Sequence, residues 1–309
     1  MKNSVSSTIV KDFMKNKTLL LLTLPFVIYT FIFSYIPMVG VVVAFENFNY
    51  AKGFFKSDWA GFDNFKFFFT SPDAWRITRN TVGYNLVFLI TGLVVSVFIA
   101  LLLYELSNRI LLKTYQTVMF IPYFLSWVVV AFMAYSILNT RSGILNIVLK
   151  SFGLQAIDWY NQPKPWILIF PIVNLWKSVG MSALIYYASL VGIDTSYFEA
   201  ARIEGANKWQ ITTNITLPFL YPLMTILTIL GIGSIFSADF GLFYQLPMDN
   251  GILYPTVDVI DTYVYRALIA LGNVGMSSAA GLYKSIVGFV LVVAANTVVR
   301  KINPENSLF

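Results

Sequence analysis

Long apolar runs separated by short polar stretches set the architecture of this chain before any single residue is weighed. Six runs approach or pass the roughly 20 residues that a helix needs to cross a hydrocarbon core of about 30 Å. They are Thr18 to Ala44, Thr81 to Tyr104, Val118 to Leu138, Trp166 to Val191, Phe219 to Ala238 and Ala279 to Val299. Backbone groups in lipid must be bonded within their own segment, so these runs predict helices and not strands. Pro25, Pro37, Pro122 and Pro171 fall in or near span ends, where a kink or a tilt is tolerated. The predicted fold is all-α and polytopic, with six transmembrane helices in one membrane domain, residues 18–299. A segment 1–17 precedes it and a tail 300–309 follows it.

One polar island, Ser196 to Pro222, interrupts the apolar pattern between the fourth and fifth runs. Ser196 and Glu199 have capping-box spacing, in which each side chain satisfies an orphan amide of a helix start. Gly205 then stands where a short helix needs a left-handed C-terminal residue. Asn207 and Gln210 repeat the cap for a second helix, predicted to run until Pro218 removes an amide donor. A helix, a glycine turn and a helix between two spans form an element suited to being gripped.

Composition agrees with the pattern: 57% of the 309 residues are hydrophobic and 12% charged, too little polar surface for a soluble globule of that size. There is no cysteine and no histidine, which removes thiolate chemistry, the commonest general base and the commonest metal ligand. No catalytic residues and no metal site are predicted. The net charge of +6 is spread over loops rather than gathered in a stripe, so it argues for membrane topology and against nucleic acid. Placing the N-terminus in the cytoplasm puts the loops 105–117 and 192–218 and the tail on the same side. These segments hold ten basic residues against nine in the outer loops, a modest bias. The lysines at 2, 11, 15 and 17 before an apolar run have the outline of a signal peptide, but that run is too long and no small-residue cleavage site follows.

The outer stretch 45–80 is rich in aromatics, among them Phe45, Phe54, Phe55, Trp59, Phe62, Phe65 and Phe67 to Phe69. An aromatic belt at the lipid interface and a docking surface for an external partner both account for it. Asp258, Asp261 and Arg266 make 254–266 a poor span, so a short helix at or above the outer interface is predicted there.

Glu199-Ala200-Ala201-Arg-Ile-Glu-Gly205-Ala206, followed by Ile215-Thr-Leu217-Pro218 and Pro222, resembles the EAA loop of bacterial ABC importer permeases. Glu204 stands where that family usually has an aspartate. Asp73-Ala-Trp75 with Asn80-Thr81, Phe120-Ile-Pro122 with Ser126, and Gly143-Ile-Leu-Asn146 are similar to elements of the carbohydrate-importing members. The stretches 257–266 and 273–285 look like the LplB-like subgroup, which imports complex oligosaccharides. The Gly-Gly-Pro element that many sugar permeases carry after the fifth span is replaced here by Leu246-Pro-Met-Asp-Asn-Gly251.

The resemblance implies a MetI-like permease core of the type I ABC importers, of MalF-like carbohydrate type, in a bacterial plasma or inner membrane. It further implies a second permease, two ATP-binding subunits on the cytoplasmic face, and an extracellular or lipoprotein solute-binding protein. The chain has no phosphate-binding loop of its own, since in Gly281-Leu-Tyr-Lys-Ser no second glycine precedes the lysine. ATP and Mg therefore belong to partner chains, and no cofactor is expected here. The residues implied for coupling are Glu199, Ala200, Ala201, Gly205, Ala206, Trp209, Leu217 and Pro218. Glu199 is expected both to cap its helix and to face a basic group of the ATPase. Trp209 and Phe198 are anchors either to the bundle or to the ATPase.

Substrate-pathway candidates follow from polar or aromatic character in or beside the spans: Tyr84, Asn85, Trp127, Tyr135, Asn174, Lys177, Asp239 and Tyr244. Amides and aromatic faces suit sugars, and polar contacts between helices explain the same residues. A lysine near mid-membrane, Lys177, should face the bundle interior, a water-filled path or a counter-ion, or snorkel. Lys284 is read as an interface lysine. Rival functions are a permease for a non-sugar solute and an ion-coupled secondary transporter; against the latter, no inverted repeat is visible.

Overall fold

The computed structural model describes residues 16–53 and 56–308, without the side chains of Phe68, Phe69 and Leu271. Lys2, Lys11 and Lys15 of the N-terminal segment, and Phe54 and Phe55 of the aromatic stretch, lie outside the described residues. Contacts divide the chain into two units, Met1–Lys66 with Asn273–Leu282, and Phe67–Gly272 with Tyr283–Phe309.

In the first unit a long helix, α1 (Lys17–Phe45), carries almost nothing but exposed apolar side chains. It passes from α-helix through a π turn at Phe31–Tyr35 into a 3-10 stretch at Ile36–Phe45. Pro37 is the second residue of that last stretch. Two short antiparallel strands follow, β1 (Glu46–Asn47) and β2 (Asp58–Trp59), with Glu46 opposite Trp59. Asn64 Nδ2 donates to the carbonyls of Ala44 and Glu46, 3.0 Å each, pinning the hairpin to the end of α1. Phe45 stacks on Trp59 at 5.7 Å and meets Phe62 and Phe65, so the outer aromatics form a cluster with exposed rings at Trp59 and Phe62.

The second unit contains α2 (Pro72–Tyr104), α3 (Arg109–Phe124), α4 (Trp127–Leu138), α5 (Ile144–Ser151), α6 (Trp166–Val191), α7 (Thr195–Ile203), α8 (Lys208–Gly233), α9 (Phe240–Gln245) and α10 (Ile260–Leu271). The later turns of α11 (Val274–Ile302) also belong to it. Five described helices, α1, α2, α6, α8 and α11, are long and apolar enough to cross a membrane, and α3 with α4 makes a sixth if that bent pair is one span. The chain is an all-α polytopic membrane protein.

α2 and α6 run parallel and share both cores. Near their starts Tyr84 packs edge to face on Phe170 at 5.3 Å, within a cluster that includes Trp166, Phe243 and Leu246. Near their ends Val97 and Ala100 pack with Tyr186, Leu190 and Leu220. Gly180 lets α6 press on the α3 backbone, because a Cβ there would stand 1.9 Å from the Met119 carbonyl oxygen. Such backbone approach is how helices pack where lipid gives no hydrophobic drive between them.

The helices depart from the apolar runs at several boundaries, and two departures have a plain local cause. The third run is two helices bent by 99°. Pro122 lacks an amide hydrogen one turn before the break, Leu125 is extended, and Ser126 caps the new helix by accepting from the Val129 amide at 3.3 Å. Pro218 does not end the helix that starts at Lys208. A π turn at Thr212–Thr216, with the Leu217 amide bonded to the Thr212 carbonyl, widens the helix just before the proline and carries it on to Gly233. The helix that carries the fifth apolar run is therefore α8, Lys208–Gly233, which begins earlier and stops sooner than the run.

Candidate functional site

The polar island folds as α7, a glycine turn, and the first turn of α8. Asp194, not Ser196, is the N-cap: its side chain accepts from the Ser196 amide at 2.9 Å. That bond holds the Asp194 carboxyl below the ordinary aspartate range. The Ser196 and Glu199 capping box is thus absent. Three consecutive residues, Asp194, Thr195 and Ser196, are able to cap, and an ionised carboxylate at the positive helix end is the best placed.

At the other end Gly205 has φ +83°. The Gly205 amide donates to the Arg202 carbonyl at 3.1 Å and the Ala206 amide to the Ala201 carbonyl at 2.9 Å. This is the paired Schellman arrangement that a left-handed residue closes. Asn207 and Gln210 then make both bonds of a capping box, 2.9 and 2.8 Å, at the start of α8.

Phe198 plugs the island into the bundle. Phe198 is buried against Tyr104, with ring centroids 5.9 Å apart. Trp209 is 75% exposed, so it does not share the buried position of Phe198. Leu217 packs on the same core as Phe198, and Pro218 follows it directly in α8. Lys208 Nζ bonds Glu105 Oε2 at 2.6 Å, joining the island to the chain just after α2; this exposed pair contributes at most about 1 kcal/mol. A concave surface of about 390 Å³ lies between them, lined by Glu105, Glu199, Arg202, Ala206 and Lys208. The Glu199 carboxylate makes no hydrogen bond or ion pair among the described residues, and Ala200 beside it is exposed.

A second group forms at the break between α3 and α4. The end of α3 leaves carbonyls without helical donors, and Lys177 Nζ supplies one to the Tyr123 oxygen at 2.7 Å. The ammonium lies over the rings of Trp127 and Tyr123, 5.1 and 5.5 Å from their centroids. A cation at a helix C-terminus is stabilised by about 0.3–2 kcal/mol, and each aromatic face adds about 0.5–1. Trp127 Nε1 in turn donates to Asp239 Oδ2 at 2.8 Å, while Asp239 Oδ1 caps α9 from the Leu242 amide at 3.2 Å. Gly241 is needed there, since a Cβ would stand 2.2 Å from Trp127 Cδ1. Lys177, Trp127 and Asp239, 112 residues apart at the extremes, are thus one cluster. Asn174 lies one turn away on α6, and its side-chain amide has no partner among the described residues.

The other pathway candidates sit elsewhere. Asn85 Nδ2 donates to the carbonyls of Ile235 and Ser237, 2.8 and 3.2 Å, tying α2 to the segment after α8. Tyr84 is buried in the aromatic core. Tyr135 meets Tyr160 edge to face at 5.5 Å, and Tyr244 stacks on Phe240 at 4.9 Å and meets Tyr265.

The segment 249–266 carries buried ion pairs that hydropathy registers only as a poor span. Asp258, 1% exposed, accepts from Arg266 at 2.6 Å and from Thr262 at 2.9 Å. Arg266 also pairs with Asp249 at 3.2 Å and lies over the Tyr254 ring, and burial pushes the Tyr254 hydroxyl up to about 12. Lys284 pairs with Asp261, which also accepts from the Ala238 amide at 2.8 Å; both side chains are mostly buried. Lys284 is therefore a tertiary tie, its ammonium held by a carboxylate of α10. The spacing of Asp258, Thr262 and Arg266, four residues apart, is the signal the sequence offers for the first of these pairs.

The family described as binding-protein-dependent transport system inner membrane component matches residues 92–304. The chain belongs to that family. It is 33% identical to the protein LplB of Bacillus subtilis (strain 168), over 94% of this chain and 91% of that protein. It is 32% identical to the polygalacturonan/rhamnogalacturonan transport system permease protein YteP of the same organism, over 94% and 90%. Among solved structures it resembles a chain of a bacterial ABC transporter involved in the import of the acidic polysaccharide alginate, with TM-score 0.86 and 30% identity, over 96% of this chain and 99% of that one. A second structure of the alginate transporter, in complex with an alginate pentasaccharide-bound periplasmic protein, matches with TM-score 0.84. The chain is a permease subunit of an ABC importer. Its matched region begins within α2, so the island, the α3–α4 break and the buried ion pairs lie inside it, and α1 with its hairpin lies outside.

Proposed function

We propose that this permease imports oligosaccharides delivered by an external binding protein, and that it does so paired with a second permease. Two ATP-binding subunits drive it from the cytoplasmic side, where the N-terminus, the tail and the α7–α8 island lie. The observation that carries the coupling half of the reading is the rigidly capped island itself. Both of its ends are closed by local bonds, Phe198 roots it in the α2–α6 core, and Glu199 and Trp209 are left outward and unengaged. A push on such an element moves α8 as a whole, because α8 is continuous from Lys208 to Gly233. Alternating access then follows as a shift between two packings of the bundle.

The substrate half rests on the named relatives, and is supported by the cluster at the α3–α4 break. Trp127, Tyr123, Lys177, Asp239 and the unpartnered Asn174 amide offer aromatic faces, donors and an acceptor close to a discontinuity in the helix. Irregular backbone at membrane depth is tolerated only where protein or water covers it. Tyr244 and Tyr135 extend this reading toward the outer loops.

The test is reconstitution of the permease with its partner permease, ATPases and binding protein in proteoliposomes. Oligosaccharides, acidic ones included, stimulate ATP hydrolysis and accumulate. Stimulation by amino acids or phosphate and by no saccharide overturns the substrate class while leaving the permease assignment intact.

A further inference from the structure

Near the starts of α2 and α6 a groove of about 400 Å³ opens on the surface of the bundle, away from the cluster at the α3–α4 break. Its floor and walls are mostly apolar, from Val87, Ile167 and Pro171. Gly83 deepens it, since nothing stands within 4 Å of where a Cβ would be. Three features keep it from being a plain apolar dent. Tyr84 lines it, only 8% exposed, with a hydroxyl that has no partner. Pro171, which has no amide hydrogen to give the Ile167 carbonyl, lines the groove together with Ile167. Arg79 stands at its rim.

Arg79 differs from the other arginines of this region. Arg76 and Arg266 pair with carboxylates. The Arg79 guanidinium touches only neutral oxygens among the described residues, those of Asn80 and Pro255. Its charge is uncompensated. It is also at a telling depth: α2 is 33 residues long, about 50 Å, against a hydrocarbon core of about 30 Å. The apolar part of α2 begins at Thr81, so Arg79 falls at the level of the lipid headgroups and Gly83 to Val87 run inward from it. A cation at headgroup depth beside an apolar channel that leads into the bilayer is complementary to an anionic amphiphile lying along the helix.

We propose that this groove is a binding site for an anionic phospholipid, its phosphate on Arg79 and an acyl chain along Gly83, Val87, Ile167 and Pro171. A lipid seated there bridges α2 and α6, the parallel pair on which both cores are built. The inference does not depend on which solute is carried.

The test uses the complete transporter, purified in mild detergent and exchanged with equimolar phosphatidylglycerol and phosphatidylcholine, with retained lipid counted by native mass spectrometry. The wild type retains one phosphatidylglycerol per copy of this chain, in preference to phosphatidylcholine by about fivefold, the factor one basic residue at the membrane surface supplies. Arg79→Gln keeps an amide able to reach Asn80 and Pro255 and loses the headgroup preference. Gly83→Leu fills the groove, favours the helix and loses retention of both lipids. Thermal unfolding of both variants at the wild-type temperature makes the loss specific. Equal retention and equal preference in wild type and both variants overturn the proposal. So does a photo-reactive residue at position 87 that captures a protein chain instead of lipid.

Discussion

Gly205 offers the cleanest perturbation of the α7–α8 island, because conformation and volume separate there. Its φ of +83° lies in the left-handed region, yet a Cβ added at this position would have no atom within 4 Å. Gly205→Ala therefore meets no clash and feels only the backbone penalty of about 1–2 kcal/mol. Part of that, about 0.4–1 kcal/mol, is returned by the lower entropy of the unfolded alanine chain, leaving a net cost near 1 kcal/mol. Gly205→Asn tolerates the left-handed region and costs less. Gly205→Pro forces φ to about −65°, deletes the amide that bonds the Arg202 carbonyl at 3.1 Å, and costs about 3 kcal/mol or more. The turn is exposed and locally bonded, so the cost falls on the island's shape and not on the bundle. Each 1.4 kcal/mol is about tenfold in an equilibrium. Affinity of the permease for its ATPase subunit, by titration in nanodiscs, should fall in the order glycine, asparagine, alanine, proline. Alanine should lose about fivefold and proline more than about a hundredfold, with thermal unfolding of the spans unchanged. Equal affinity for alanine and proline, or wild-type affinity for proline, refutes the reasoning.

The two aromatics of the island should part company. Phe198→Ala empties a buried site and lowers stability by about 3 kcal/mol in thermal unfolding, whereas Trp209→Ala leaves stability within about 0.5 kcal/mol and weakens assembly with the ATPase. Lys177→Met removes the donor to the Tyr123 carbonyl and both aromatic contacts, lowering stability by about 1–2 kcal/mol and uptake with it, while Lys177→Arg restores part of both. Asp194 sets a pH expectation: its carboxyl is held below the ordinary range, so the cap is fully formed above about pH 4 and is lost only as pH falls through the depressed value. ATPase coupling from about pH 5 to 8 should not vary through this group, and Asp194→Asn should behave as wild type across that range.

How much is legible in the residues depends on how local the cause is. The Schellman turn at Gly205 and the box at Asn207 and Gln210 are made by neighbours in sequence, and both form as the residue pattern requires. Capping-box spacing places the start of α7 two positions late, because three adjacent residues can cap and the ionised carboxylate of Asp194 is the best placed of them at the positive helix end. The break at Leu125 and Ser126 is hidden inside an apolar run, since hydropathy averages over a window longer than the break. Its hallmarks, Pro122 one turn before and Ser126 as a cap, serve equally well as a span end and as a family motif. The cluster of Lys177, Trp127 and Asp239 and the tie between Asp261 and Lys284 join distant segments, and no spacing rule brings such residues together. Among the pathway candidates, chemistry alone does not distinguish Asn85, whose amide is spent on the segment after α8, from Asn174, whose amide is open.

The chain has no cysteine, which makes a single introduced thiol the most direct probe of the claim that the α7–α8 island docks the ATPase. With Trp209→Cys and, as control, Leu154→Cys at an exposed position in the loop before α6, the complete transporter is treated with a short thiol-to-amine cross-linker and the adducts are identified by mass spectrometry. An adduct between position 209 and the ATPase subunit, absent at position 154, is the predicted result. Adducts of position 209 with the external binding protein, or none with the ATPase while position 154 gives one, would contradict the account.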